Sequence, residues 1–307
     1  MNYFKLKIYE LETGQRSDYF PNKAKSGPAD MTVSPISDWD DAYANTAHIP
    51  GGASYPARWS ALARAFRDDL ATAGRAELDL AYGEADREKL DLFHPTGVAN
   101  GLAVFAHGGY WMSFDKSFWS HLAAGPLARG WAVCLPSYTL TPEARISTIT
   151  RQFAAAVQFA AGRIGGSLRL AGHSAGGHLV SRMICEDSPL SAELRDRIDR
   201  VVSISGVHDL RPLLRTQMNL TLRLDRHEAE RESAALREPL ATCPTTCWVG
   251  EAERPEFIRQ SQLLANIWTG LGAAAECVIA EGRHHFDVID DLIDPESTLT
   301  KTWLDES

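Results

Sequence analysis

The 307-residue sequence predicts an α/β fold, with a mostly parallel central sheet flanked by helices. From residue 102 onward, short apolar runs alternate with stretches of helical periodicity, the pattern of strands buried on both faces and connected by crossover helices. Glycine-containing loops follow several of these runs, as expected where a strand hands over to a helix. The length suits a single domain with one large core.

The elements follow in chain order. Residues 1–57 are punctuated by Gly14, Pro21, Gly27, Pro28 and Pro35, and read as an N-terminal arm or partial lid over the core. Arg58–Thr72 has apolar residues at helical spacing. Glu77–Tyr82 and Lys89–Phe93 read as strands, the second ending before Pro95. Strands are then expected at Leu102–Ala106, Trp131–Pro136, Leu168–Ala171, Val201–Ser205, Thr245–Val249 and Glu276–Ala280. Helices are expected at Trp119–Arg129, Ile149–Arg163, Gly176–Cys185, Pro255–Leu271 and over 287–293. The charged, weakly periodic stretch His208–Leu240 reads as an insertion near the site. Right-handed crossovers bring the C-terminal ends of parallel strands to one edge, so the loops after residues 106, 171, 205, 249 and 280 converge there.

Composition excludes several classes. Hydrophobic residues make up 44% and charged residues 23%, and the net charge is -9. A nucleic-acid or anionic-membrane surface needs clustered Lys and Arg, which this balance does not supply. The first twenty residues hold no apolar run of signal-peptide length, and no stretch approaches the roughly 18 apolar residues of a membrane span. Five scattered cysteines argue against a disulfide framework, and Cys243 and Cys247 have no zinc-type partner pair nearby. The expectation is a reduced, cytoplasmic protein without metal or cofactor, acting on a small molecule, with a homodimer as the default assembly.

Three motifs carry chemistry. Gly172-His173-Ser174-Ala175-Gly176 matches the G-x-S-x-G nucleophile elbow of the α/β-hydrolase fold, with a strand before it and a helix after it. The serine there sits on a sharp turn whose neighbours must be small. His107-Gly108-Gly109-Tyr110-Trp111, directly after a strand, has the form of an oxyanion-hole loop, with Gly108, Gly109 and the Ala175 N–H as donors. His284-His285 follows the last strand, where a general base belongs, and spacing does not choose between the two. The triad acid has three candidates on strand-end loops: Asp209, Glu251 and Glu253. His173 and His178 are expected to pack beside the elbow and His107 to hold its own loop, while His121 and His227 read as surface residues.

With these motifs in hand, the chain resembles the kynurenine formamidase (arylformamidase) group of α/β hydrolases and, more broadly, the hormone-sensitive-lipase-like esterases. The resemblance runs from about residue 38 to 294. It rests on His107–Trp111, Gly172–Leu179, Ser205–Leu210, Pro255-Glu256-Phe257 with Arg259-Gln260-Ser261, and His285-Phe286-Asp287. It implies Ser174 as nucleophile, His285 as base and Glu253 as acid, at a position where the family usually has Asp. The implied reaction is hydrolysis of an aryl-formamide, with Tyr110 and Trp111 offered as an aromatic wall for the substrate ring. A carboxylesterase acting on small acyl esters is the alternative. A binding protein that has lost turnover is the third reading, disfavoured by the presence of both Ser174 and His285.

Overall fold

The computed structural model describes residues 35–305; the expected arm before residue 35 lies outside them. From Ser37 onward the chain forms one compact unit around an eight-stranded sheet. The strands are β1 (Ala76–Ala81), β2 (Lys89–Phe93), β3 (Gly101–Ala106), β4 (Ala132–Pro136), β5 (Ser167–His173), β6 (Ile198–Ile204), β7 (Thr245–Gly250) and β8 (Ala275–Ala280). Their spatial order is β1-β2-β4-β3-β5-β6-β7-β8. β2 pairs antiparallel with both β1 and β4, and every later pairing is parallel. Each strand expected from the sequence is present, Lys89–Phe93 with both ends as expected and the others with ends shifted by at most three residues.

Burial follows position in the sheet. β3, β4 and β7 are buried along their whole length, as strands covered on both faces must be, whereas the edge strands β1 and β8 are partly exposed. Helices Tyr55–Thr72, Ile146–Ala161, Ala175–Met183 and Pro255–Gly270 supply most of the cover. The Pro255–Gly270 helix begins on its proline, where a missing N–H costs nothing. The chain leaves β3 to one side for β4 and returns on the other side for β5, which makes a crevice at the C-terminal ends of β3 and β5. Among the described residues, no helix is long and apolar enough to cross a membrane.

Four expectations are corrected. The single helix at 119–129 is a 3-10 turn, Ser120–Ala123, followed by a short helix, Ala124–Ala128. Pro126 has no N–H to donate back toward residue 122, so one regular helix does not run through. The helix over 287–293 is only a 3-10 turn, Asp290–Ile293. A real helix follows at Thr298–Leu304, capped by Ser297, whose hydroxyl accepts from the Thr300 N–H at 3.0 Å. The 208–240 stretch forms short helical turns fixed by Glu228, which accepts from Arg145, and by Glu232, which accepts from Thr150 and Arg182. It contributes no residue to the pocket that holds Ser174.

His121 is the fourth correction: it is buried, not on the surface, and neither ring nitrogen has a hydrogen-bond partner. It is one of several histidines that the core holds neutral. Burial lowers His107 to about 4, and His121, His178 and His208 to about 3 each. Burial, and next to it His285, holds His173 well below 6.5. All five pKa values are depressed on folding, so below about 6.5 the unfolded chain takes up protons that the folded chain refuses. Stability present above pH 6.5 is therefore expected to fall as pH drops toward 4, by up to about 1.4 kcal/mol per pH unit for each fully buried ring. Urea midpoints measured across that window test this. His121→Leu, which removes a titrating ring without breaking a hydrogen bond, should flatten the slope; an unchanged slope would exclude His121 as a contributor.

Candidate active site

The crevice between β3 and β5 brings the first two motifs together. β5 ends at His173, Ser174 turns the chain, and the helix Ala175–Met183 begins at once. Ser174 has φ 56° and ψ -116°, a conformation that L-residues rarely adopt and that marks functional turns. Its N–H donates to the Ile204 carbonyl at 2.8 Å, tying the turn to the end of β6. The flanking glycines are required by contact: a Cβ at Gly176 would lie 2.0 Å from the Ala106 carbonyl oxygen, and one at Gly172 would lie 2.2 Å from the Gly176 carbonyl oxygen. Ala175, as first residue of its helix, has an N–H without an intrahelical acceptor.

The His107–Trp111 loop faces this turn. A Cβ at Gly108 would come 3.0 Å from Ser174 Cβ, so the loop backbone reaches the serine only because nothing projects from it. Gly109 has φ +111°, and its carbonyl accepts from the N–H groups of Met112 and Ser113. His107 braces the loop as expected: its Nδ1 bonds the Gly108 carbonyl at 2.8 Å and its ring stacks on Tyr138 at 4.4 Å. The Tyr138 hydroxyl donates to the His107 carbonyl at 2.9 Å.

The structure separates the candidate acids and the two histidines. His285 Nδ1 lies 2.6 Å from Glu253 Oε2, both side chains being almost wholly buried. The other Glu253 oxygen accepts from Ser205 Oγ at 2.5 Å and from the Gly250 N–H at 2.9 Å. Asp209 is taken up instead by Arg211, and Glu251 is exposed and accepts from the Gly282 N–H. His284 turns to the Tyr55 hydroxyl and to Asp287. His173 reaches across from the elbow: its Nε2–H donates to the His285 carbonyl at 2.8 Å, with ring centroids 4.6 Å apart.

Ser174, His285, Gly108, Gly109 and Tyr110 line one pocket of about 260 Å³. Its wall is aromatic, but not as expected. Tyr110 contributes, whereas the Trp111 indole is fully buried against His178 and does not line the pocket. Trp59, Phe114, Trp119 and Phe286 supply the rest of the wall, with Trp59 and Trp119 rings 4.6 Å apart. Of these, Phe286 stands beside a motif residue; Trp59 comes from a helix more than a hundred residues before the serine, with no local sign of its role. Asn45, Thr46, Gly52, Ala53 and Pro56, all within the expected lid segment, line the same pocket.

Residues 103–286 match the family model of the α/β hydrolase fold. A kynurenine formamidase of Danio rerio is 30% identical over 238 residues, which cover 74% of this chain and 80% of that protein. One from Drosophila melanogaster is 29% identical over 240 residues, covering 72% and 78%. Among solved structures, a protein of Silicibacter sp. TM1040 provisionally assigned as a thioesterase is 52% identical, with a TM-score of 0.82 over 87% of this chain and 98% of that one. Esterase B from Lactobacillus rhamnosus shares the fold at 18% identity and a TM-score of 0.59. The chain belongs to the kynurenine formamidase-like α/β hydrolases, and it is a hydrolase of the esterase and amidase type.

Proposed function

We propose that the protein is a serine hydrolase that cleaves an aryl-formamide, such as N-formyl-L-kynurenine, into formate and the arylamine. The observation that carries this reading is the buried Glu253–His285 pair opening on the same pocket as Ser174. Glu253 accepts from His285 Nδ1–H, which leaves Nε2 free as the base. His285 takes the Ser174 proton, and Ser174 Oγ attacks the formyl carbon. The oxyanion is held by N–H groups of the Gly108–Gly109 loop and of Ala175. Collapse expels the arylamine, protonated by His285, and leaves a formyl ester on Ser174. Water, deprotonated by His285, releases formate. Every step uses side chains, backbone amides and water of the site.

The aromatic wall and the kynurenine formamidase relatives support an aryl leaving group. The thioesterase assignment of the relative that is 52% identical supports a second reading, acyl ester or thioester hydrolysis, by the same tetrahedral chemistry. Five free cysteines, four of them buried, suit a reducing compartment, and we place the protein in the cytoplasm on that basis.

Three outcomes are expected. On N-formyl-L-kynurenine, kcat/KM should reach about 10⁴ M⁻¹s⁻¹ or more, above the values for p-nitrophenyl acetate and a short acyl thioester. Dominant ester or thioester turnover would move the protein to the second reading. Ser174→Ala should lower kcat by about 10⁶-fold while the circular dichroism spectrum stays unchanged, and an active variant would end the mechanism. Glu253→Gln should lower kcat by about 10⁴-fold, and Asp209→Asn should stay in the wild-type range. The reverse pattern would transfer the acid role to Asp209.

A further inference from the structure

His173 stands at the end of β5, one residue before Ser174, and is buried. The G-x-S-x-G pattern makes no demand on this position, so what its side chain does is read from its contacts. A carbonyl can only accept, so the bond to the His285 carbonyl at 2.8 Å places a proton on His173 Nε2. The same ring lies against the His285 ring on one side and 6.4 Å from that of Trp119 on another. Its Nδ1 and its backbone carbonyl face Gly108, where a Cβ would come within 3.1 Å and 2.9 Å of them. One residue thus joins the elbow, the His-Gly-Gly loop and the loop after β8.

That last loop is held at two points. The first is Arg283, whose carbonyl accepts from the Ala252 N–H at 2.9 Å and packs on Gly250, where a Cβ would stand 2.2 Å away. This anchor lies on the β7 side. The second is the His285 carbonyl, taken from the β5 side by His173. Glu253 meets the imidazole at Nδ1, but a bond to one ring nitrogen does not by itself fix the main chain that carries the ring. The donor from His173 acts on that main chain.

We propose that His173 is a positioning residue, which by donating to the His285 carbonyl fixes the backbone from which the imidazole reaches Ser174. It acts through His285. The inference rests on the reading of Ser174 as nucleophile and His285 as base.

The test compares His173→Gln, His173→Asn and His173→Phe with the wild type. A glutamine Nε2 falls near the place of the imidazole Nε2, an asparagine amide reaches only as far as Nδ1, and phenylalanine keeps ring packing without a donor. The readouts are the rate of Ser174 labelling by a fluorophosphonate, and kcat and KM on N-formyl-L-kynurenine and p-nitrophenyl acetate. The Asn and Phe variants are expected to lose about 10²-fold in labelling rate and in kcat, with KM within about threefold, and Gln to recover most of the loss. Melting temperatures show which variants are folded; should the Phe variant fail to fold, the contrast between Gln and Asn decides. Equal activity of Gln and Asn overturns the proposal, because it assigns His173 to packing alone. A rise in KM at unchanged kcat overturns it too, because it assigns the residue to the pocket wall. Labelling of Ser174→Ala as fast as the wild type removes the nucleophile and the proposal with it. If N-formyl-L-kynurenine is not cleaved but labelling keeps the contrast between Gln and Asn, the formamide reading fails and the role of His173 stands.

Discussion

The structure depends on one close approach. Gly176, at the start of the elbow helix, packs directly on the Ala106 carbonyl at the end of β3, where a Cβ would stand 2.0 Å from the oxygen. Only a residue without a side chain can sit there, so the elbow is seated directly on the end of β3. It therefore sets the height of Ser174 above the sheet. It also sets the start of the loop that follows Ala106, whose Gly108 is brought against Ser174 Cβ. A serine in a strained conformation persists only when its surroundings over-determine it. Here they do: a helix follows it, a glycine contact lies beside it, and its N–H is bonded to β6.

Burial at the site is matched by hydrogen bonding. A carboxylate taken fully out of water is costly unless its oxygens are satisfied. Glu253 meets a ring nitrogen with one oxygen and a hydroxyl plus an amide with the other. Ser205, which donates that hydroxyl, itself has positive φ, so the end of β6 is bent to serve the residue after β7. Glutamate suits this position by reach: it starts three residues beyond Gly250 and still returns to bond the Gly250 N–H.

How much of this the sequence disclosed depends on range. The elbow and the His-Gly-Gly loop were legible because their constraints are local: a turn that admits only small residues writes itself into five consecutive positions. The strands were legible because burial on both faces leaves short apolar runs. The carboxylate that pairs with His285 was not legible from the residues alone, because Asp209, Glu251 and Glu253 all follow strands, and what distinguishes them is a side-chain direction set in three dimensions. His121 and Trp111 were misjudged for a related reason. A polar or amphipathic residue carries no mark of burial when the burial comes from distant segments. The aromatic wall has the same character, since Trp59, Phe114, Trp119 and Phe286 meet only after folding.

The segment before the first long helix shows how far such coupling extends. Tyr43 donates its hydroxyl to Glu256 at 2.7 Å, and Gln260 Nε2 donates to that hydroxyl, to Glu256 and to the Asp209 carbonyl. Gln260 Oε1 in turn accepts the N–H groups of His208 and Asp209. One buried polar chain therefore joins the segment that roofs the pocket, the loop after β6 and the helix that follows Glu253. Such networks are stable only when every member is satisfied, so they tend to hold together or fail together. The pocket roof and the carboxylate that orients His285 are thus fixed to a common support. Tyr43 is thereby connected to Glu256, which lies three residues after Glu253 in the helix that follows it, without a contact to Ser174 or the loop that faces it. The segment that lines the pocket at Asn45 and Thr46 is therefore bonded to the same helix that follows Glu253.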